Sequence, residues 1–213
     1  MQQPIFITAI GTDVGKTIVS AIITEALQAD YWKPVQAGFY DGTDALTVKD
    51  LISNNKTIIH PEVYKLSLAA SPHISARIEH VKVDLDLINK TCRKLETGNR
   101  QLIIEGAGGL MAPLNENEFI IDLIQKLNAR VILVSRNYLG SINHSLLTAT
   151  ICKQKNVDVI GWVFNDQYMD YEEEIVQWTG LPKIFSIPFT ENLTKEFARA
   201  QAEKIKASLQ KFL

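Results

Sequence analysis

The stretch Ile5-Phe6-Ile7-Thr8-Ala9-Ile10-Gly11-Thr12-Asp13-Val14-Gly15-Lys16-Thr17 decides how this chain is read. Ile5 to Ile10 is an apolar run without in/out alternation, the pattern of a strand covered on both faces. Gly11 to Gly15 is a turn, and from Lys16 onward Ile18, Ile22, Ile23 and Ala26 recur at helical spacing. A phosphate chain needs consecutive backbone N–H groups curled around it, which glycines permit. It also gains from the positive end of a helix dipole. Lys16 can reach terminal phosphates, and the Thr17 hydroxyl can coordinate Mg²⁺. Ile10 stands where the usual pattern has its first glycine, so Gly11 is expected to be the pivot. The strand before and the helix behind favour phosphate binding over an ordinary turn.

Outward from this stretch, short apolar runs alternate with helical periodicity. Strands are expected over Tyr31 to Val35, Leu102 to Glu105, Val131 to Ser135, Ile160 to Asn165 and Lys183 to Ile187. Helices are expected over Ala45 to Leu51, through Leu85, Ile88, Cys92 and Leu95 to a stop at Gly98, and near Ile120 to Leu127. Further helices are expected from about Ser141 to Lys155, near Tyr171 to Thr179, and from about Thr194. His60 to His73 reads as a loop. Buried strands separated by helices predict an α/β fold, a mostly parallel sheet with helices on both faces, in a single domain spanning residues 1–213. Ligands of such sheets bind at the carboxyl ends of the strands.

Four other strand ends carry chemistry. Lys33-Pro34-Val35-Gln36-Ala37-Gly38 puts Lys33 where Pro34 stops pairing, as a site residue or as a solvated lysine. Glu105-Gly106-Ala107-Gly108-Gly109 puts a carboxylate at the end of an apolar strand, where a second Mg²⁺ ligand belongs. Asp44 is a candidate third ligand or a helix cap. Gly140-Ser141-Ile142-Asn143 opens a long helix, whose free N–H groups could receive a carboxylate unless Ser141 simply caps it. Asn165-Asp166 closes the fifth strand, and an amide that donates and accepts at once suits a purine edge.

Composition narrows the function classes. The 213 residues carry 22 basic and 24 acidic side chains, a net charge of -2, so neither nucleic acid nor an anionic membrane is an expected partner. The N-terminus has no basic start and only a short apolar run, unlike a secretory signal, and no stretch reaches the length of a membrane span. Cys92 and Cys152 form neither a metal cluster nor a disulfide framework, which fits a reducing cytoplasm. The four histidines lack metal-ligand spacing, and no serine has nucleophile-elbow glycines.

Taken in order, these segments resemble the dethiobiotin synthetases. The resemblance rests on Thr12 to Thr17, Lys33-Pro34-Val35 with Gly38, Asp44-Ala45-Leu46, Ser71-Pro72-His73 and Glu105 to Gly109. Leu139-Gly140 with Ile142-Asn143-His144, Gly161-Trp162-Val163 with Asn165-Asp166, and Ile187-Pro188 complete it. It implies a P-loop NTPase-like fold and an ATP- and Mg²⁺-dependent closure of 7,8-diaminononanoate with CO₂ to a cyclic urea. It implies Lys33, Lys16 and Thr12 at the reacting groups, and Thr17, Asp44 and Glu105 on Mg²⁺. ATP would lie along Asp13, Val14, Gly15, Lys16, Thr17 and Ile18, beside Asp44 and Glu105-Gly106-Ala107-Gly108. Its base would meet Asn165, Asp166 and Ile187-Pro188-Phe189. Substrate would meet Lys33 and Ala37, its carboxylate held at Gly140, Ser141, Ile142 and Asn143 of a partner subunit in a homodimer. Ala37 departs from the family, which often has a hydroxyl there, and substrate affinity is the property expected to change.

Three other readings compete. A partition-type switch ATPase would carry an additional loop lysine where Gly11 stands. A cobyrinate-type amide synthetase commonly adds a glutaminase domain, for which the chain is too short. A degenerate P-loop protein would have lost some of Lys16, Thr17, Lys33, Asp44 and Glu105, and all are present.

Overall fold

A computed structural model describes residues 2–96, 100–166 and 169–213. In chain order the elements are β1 (Ile5–Ala9), α1 (Lys16–Leu27), β2 (Asp30–Trp32), β3 (Val35–Ala37), α2 (Asp44–Leu51) and β4 (Ile59–His60). Next come β5 (Tyr64–Leu66), α3 (Pro72–Ile78), α4 (Leu85–Leu95), β6 (Leu102–Glu105), α5 (Ile120–Lys126) and β7 (Arg130–Arg136). The last are α6 (Ser141–Gln154), β8 (Val159–Asn165), α7 (Glu172–Thr179), β9 (Lys183–Ile187) and α8 (Lys195–Leu209). The stop at Gly98 expected for α4 lies outside the described residues.

Seven strands form one parallel sheet in the order β4-β2-β6-β1-β7-β8-β9. Strand β1 is buried along its whole length, because its side chains alternate between two cores. Phe6 joins Trp32, Ile104, Leu133, Trp162 and Phe164 on the face that Leu85, Ile88 and Cys92 of α4 and Ile120, Ile121 and Ile124 of α5 cover. Ile5 and Ile7 join Tyr31, Ile103 and Ile132 on the face that α1, α2 and α8 cover. This is the three-layer arrangement expected, and it explains why the strand runs lack alternation. No described helix is long and apolar enough to cross a membrane.

Two expectations are corrected. The run Tyr31 to Val35 is not one strand: Pro34 offers no N–H to the ladder, so β2 ends at Trp32. The chain then bends into β3, which pairs with β5 in a separate two-stranded parallel sheet, Val35 opposite Tyr64 and Ala37 opposite Leu66. Residues 60–73 are accordingly not a plain loop. They carry the end of β4, all of β5 and the start of α3, strands too short for periodicity to show. Gly38 closes β3 with φ +79, and a Cβ there would stand 2.8 Å from the Ala69 Cβ, so only glycine lets the two segments meet.

The segment that follows α2 is clipped to α1 by one carboxylate. Glu25 accepts from the Ser53 and Asn54 backbone N–H groups, from Asn54 Nδ2 at 2.7 Å and from the Ser53 hydroxyl. Burial alone would raise this half-buried carboxyl, but those four donors hold it below its ordinary value of 4.5. Its stabilisation is therefore fully present above the unfolded value and is lost as pH falls through the lower folded value. Glu25→Gln is expected to cost about 1–2 kcal/mol at neutral pH, a figure reduced for solvent screening. Melting temperatures measured against pH should show that gap closing in acid. A gap that persists unchanged at low pH would refute the assignment to the ionised carboxylate.

Candidate active site

The loop between β1 and α1 curls because Asp13 and Gly15 both take left-handed conformations, φ 56 and φ 89. Gly15 caps α1 through its backbone alone, so the unpaired N–H groups of the first helical turn face the loop. A Cβ on Gly15 would lie 1.8 Å from Asn165 Nδ2, so glycine is required by space as well as by φ. Lys16 folds back over the loop, its Nζ donating to the Gly11 carbonyl at 3.0 Å. Gly11 is not the expected pivot: its φ is not positive and a Cβ there would meet nothing, so the turn is made at Asp13 and Gly15. Burial first, and then the neighbouring Lys33 ammonium, bring Lys16 down to about 8 against the pull of Glu105, Asp44 and Asp13.

At the carboxyl ends of β2 and β6 the structure assembles a buried cluster. Lys33 Nζ lies 2.9 Å from Asp44 Oδ2 and 3.0 Å from Glu105 Oε1. Lys33 is 4% exposed and Glu105 1%, so neither is a solvated end-of-strand residue. Burial would lower the Lys33 ammonium, yet the two carboxylates outweigh it and hold it above its ordinary value. Burial would likewise raise Asp44, and Lys33 with the Thr17 hydroxyl holds it down. Asp44 does not cap its helix, because Thr43 does so by accepting from the Leu46 N–H. Asp44 is instead the first helical residue, turned inward.

The Thr17 hydroxyl stands 2.6 Å from Asp44 Oδ1 and 2.9 Å from Glu105 Oε1. Three oxygen donors converging from α1, α2 and β6 suit a hard dication that completes its shell with phosphate and water oxygens. No group of three His, Cys, Asp or Glu residues able to hold a metal occurs among the described residues, so such a site needs the hydroxyl and the ligand's own oxygens. Two positions that the sequence did not mark support the cluster. Tyr31 OH donates to Glu105 Oε2 at 2.9 Å from a fully buried ring, and burial followed by the Glu105 charge keeps the phenol protonated. Gln36 Oε1 accepts from the Asp44 N–H at 3.2 Å, while its Nε2 donates to the Gly38 carbonyl at 2.8 Å. Both read in sequence as ordinary strand residues.

Two cavities meet at Asp13. The first, about 560 Å³, opens above the cluster and is lined by Thr12, Asp13, Lys16, Lys33, Gln36, Ala37, Asp44, residues 69–72, Glu105, Ala107 to Gly109, and Ala112. Ala37 contributes only a methyl group. The second, about 190 Å³, is lined by Asp13, Gly15, Ile18, Asn165, Asp166, Ile187, Pro188 and Phe189, with Arg136, Thr190 and Phe197. Asn165 Nδ2 donates to the Val14 carbonyl at 3.2 Å, which commits the amide nitrogen to the loop and leaves Oδ1 as the group's acceptor. The structure thus brings together the expected residues of the phosphate loop and of the β2, β6 and β8 ends, with Val14 and Gly106 in the supporting backbone.

Gly140, Ser141, Ile142 and Asn143 are not among the described residues lining either cavity. Ser141 is not the helix cap either. Gly140 caps α6 with φ 104 and no side-chain bond, and the buried Ser141 hydroxyl lies 2.7 Å from Tyr171 OH. Asn143 is exposed at the surface. Cys92 and Cys152 are buried free thiols, and burial pushes Cys152 up to about 12.

A glycine-pivoted anion loop between the central strand of a parallel sheet and a helix, with lysines and carboxylates at the adjoining strand ends, defines a P-loop NTPase. Solved structures agree on the fold: the MinC:MinD cell division complex of Aquifex aeolicus (TM-score 0.65, 15% identity, 99% of this chain and 95% of that one) and the Pyrococcus furiosus cell division ATPase MinD (TM-score 0.64, 12% identity, all of both chains). At such identities the likeness concerns the fold alone. A family model described as an AAA domain matches residues 3–197. The ATP-dependent dethiobiotin synthetase of Cytophaga hutchinsonii is 49% identical over 94% of this chain and 95% of its own length. That of Christiangramia forsetii is 44% identical over 93% and 95%. The chain belongs to the dethiobiotin synthetase family.

Proposed function

We propose that this enzyme closes 7,8-diaminononanoate and CO₂ into the cyclic urea dethiobiotin at the expense of ATP. The observation that carries the reading is the buried Lys33–Asp44–Glu105–Thr17 cluster opening into the 560 Å³ cavity beside the phosphate loop. ATP lies along the loop from the smaller cavity to the larger. Asn165 Oδ1 accepts from the adenine amino group, and Ile187, Pro188 and Phe189 cover the ring. Thr17, Asp44 and Glu105 would hold Mg²⁺, which would neutralise phosphate charge.

The first step joins a substrate amine to CO₂, releasing a proton and giving an anionic carbamate. Lys33 and Lys16, with Thr12 as a hydroxyl donor, line the cavity where that anion would form. A carbamate oxygen then attacks the γ-phosphorus, the bond to the ADP oxygen breaks, and a carbamic-phosphoric anhydride results. Positioning and charge neutralisation carry this step. The second amine attacks the carbonyl carbon and expels phosphate, closing the ring. Holding the two ends together supplies the proximity term.

Membership of the family implies that the substrate carboxylate is anchored at the α6 start, Gly140 to Asn143, of a second copy, and the exposure of Asn143 is compatible with that. The same family likeness implies a homodimer, and a cytoplasmic location suits the two free cysteines. Mixing the protein with MgATP, bicarbonate and 7,8-diaminononanoate is expected to give ADP release that depends on the diamine and a product of dethiobiotin mass. ATP turnover indifferent to the diamine would overturn the substrate assignment. A monomer by analytical ultracentrifugation that is nonetheless fully active would overturn the shared site.

A further inference from the structure

Arg136 ends β7 directly beside Asn165, its partner in the β7–β8 register, and lines the smaller cavity. Its guanidinium makes contacts in two directions. Nε lies 3.1 Å and Nη2 3.0 Å from Asp166 Oδ2, while Nη1 donates to the Asp13 carbonyl of the phosphate loop at 3.4 Å. The cation is therefore held in the wall of the pocket, between the loop and the end of β8. Asp166 is fixed from behind as well, its N–H donating to the Ile187 carbonyl.

A carboxylate at the base end of a nucleotide pocket has a definite chemical preference. Guanine offers an N1–H and a 2-amino group side by side, a pair of donors that one ionised carboxylate can accept. Adenine has a lone pair at N1 and only C–H at C2, so the same carboxylate repels it. An unneutralised Asp166 would thus favour guanine at a site where Asn165 Oδ1 favours the adenine amino group. We infer that Arg136 is a nucleotide-selectivity residue: by engaging Asp166 it withholds a guanine-reading carboxylate from the base pocket. The inference rests on the nucleotide reading proposed above and extends it to the choice of base.

The test is calorimetric titration of the protein with ATP and with GTP in the presence of Mg²⁺. Arg136→Gln is expected to shift the ratio of the two dissociation constants about tenfold toward GTP, chiefly by tightening GTP. Adding Asp166→Asn to that variant is expected to remove the gain, since the amide has lost the charge that reads guanine. Equal weakening of both nucleotides by Arg136→Gln would show that Arg136 merely supports the loop, and an unchanged ratio would show no role in selectivity. Either overturns the inference while leaving the ATP site standing. A parent protein that binds no ATP would overturn the nucleotide reading itself, and the inference with it, before any variant is made.

Discussion

Lys33→Met is expected to abolish dethiobiotin formation while leaving the fold intact enough to bind MgATP. The side chain is the buried cation of its cluster, touching Asp44 and Glu105 at 2.9 and 3.0 Å and lining the larger cavity. Removing a charge aimed at a developing anion costs turnover by about 10²–10³-fold or more. Methionine fills the space but leaves the buried Glu105 and the partly exposed Asp44 without their ammonium, a defect worth at most about 3–5 kcal/mol when nothing replaces it. A dication on Thr17, Asp44 and Glu105 would replace it in part. Mg²⁺ is therefore expected to raise the melting temperature of Lys33→Met by more than that of the parent. Product formation by mass and melting curves with and without Mg²⁺ read the two effects separately. A variant keeping more than about a tenth of the parent turnover would sink the catalytic role, since that exceeds what loss of one such group allows.

Gly15→Ala is expected to weaken ATP binding about 100-fold, through two terms that add at one atom. The left-handed conformation, φ +89, costs a Cβ-bearing residue about 1–2 kcal/mol. The new methyl would also occupy the place of Asn165 Nδ2, 1.8 Å away, and break its bond to the Val14 carbonyl. The base-reading amide and the phosphate loop would then be displaced together. Shortening the neighbour, in Gly15→Ala with Asn165→Ala, relieves the overlap but not the strain, and it deletes the amide. Binding is not expected to return. Calorimetric titration of ATP into both variants settles the matter, and parent-like affinity in Gly15→Ala would contradict the placement of the nucleotide along this loop.

Local patterns made much of this legible from the chain alone. A buried strand, a glycine turn and Lys16-Thr17 opening a helix are consecutive, and their chemistry follows from adjacency. Glu105 was visible because a carboxylate terminating the run Leu102 to Ile104 has few structural reasons to be there. The break at Pro34 was visible too, but not its consequence, because the pairing of β3 with β5 depends on a two-residue bend that carries no periodicity. Asp44 and Ser141 were ambiguous for one shared reason. A small polar residue at a helix start can cap or can point elsewhere, and only the neighbours across the fold choose. Thr43 caps in place of Asp44, and Tyr171 claims the Ser141 hydroxyl.

The sequence by itself determined the three-layer parallel fold and the phosphate loop, together with the list of charged residues standing at strand ends. These rest on hydrophobic period and on contacts between near neighbours along the chain. Tertiary structure alone decided that Lys33 is the buried counter-cation of Asp44 and Glu105, that Tyr31 supports Glu105, and that Arg136 joins Asp166 to the phosphate loop. Thr17 meets Asp44 across 27 residues, Lys33 meets Glu105 across 72, and Arg136 meets the Asp13 carbonyl across 123. Contacts at such separations leave no periodic trace, because what fixes them is the order of strands in the sheet and the side on which each helix packs.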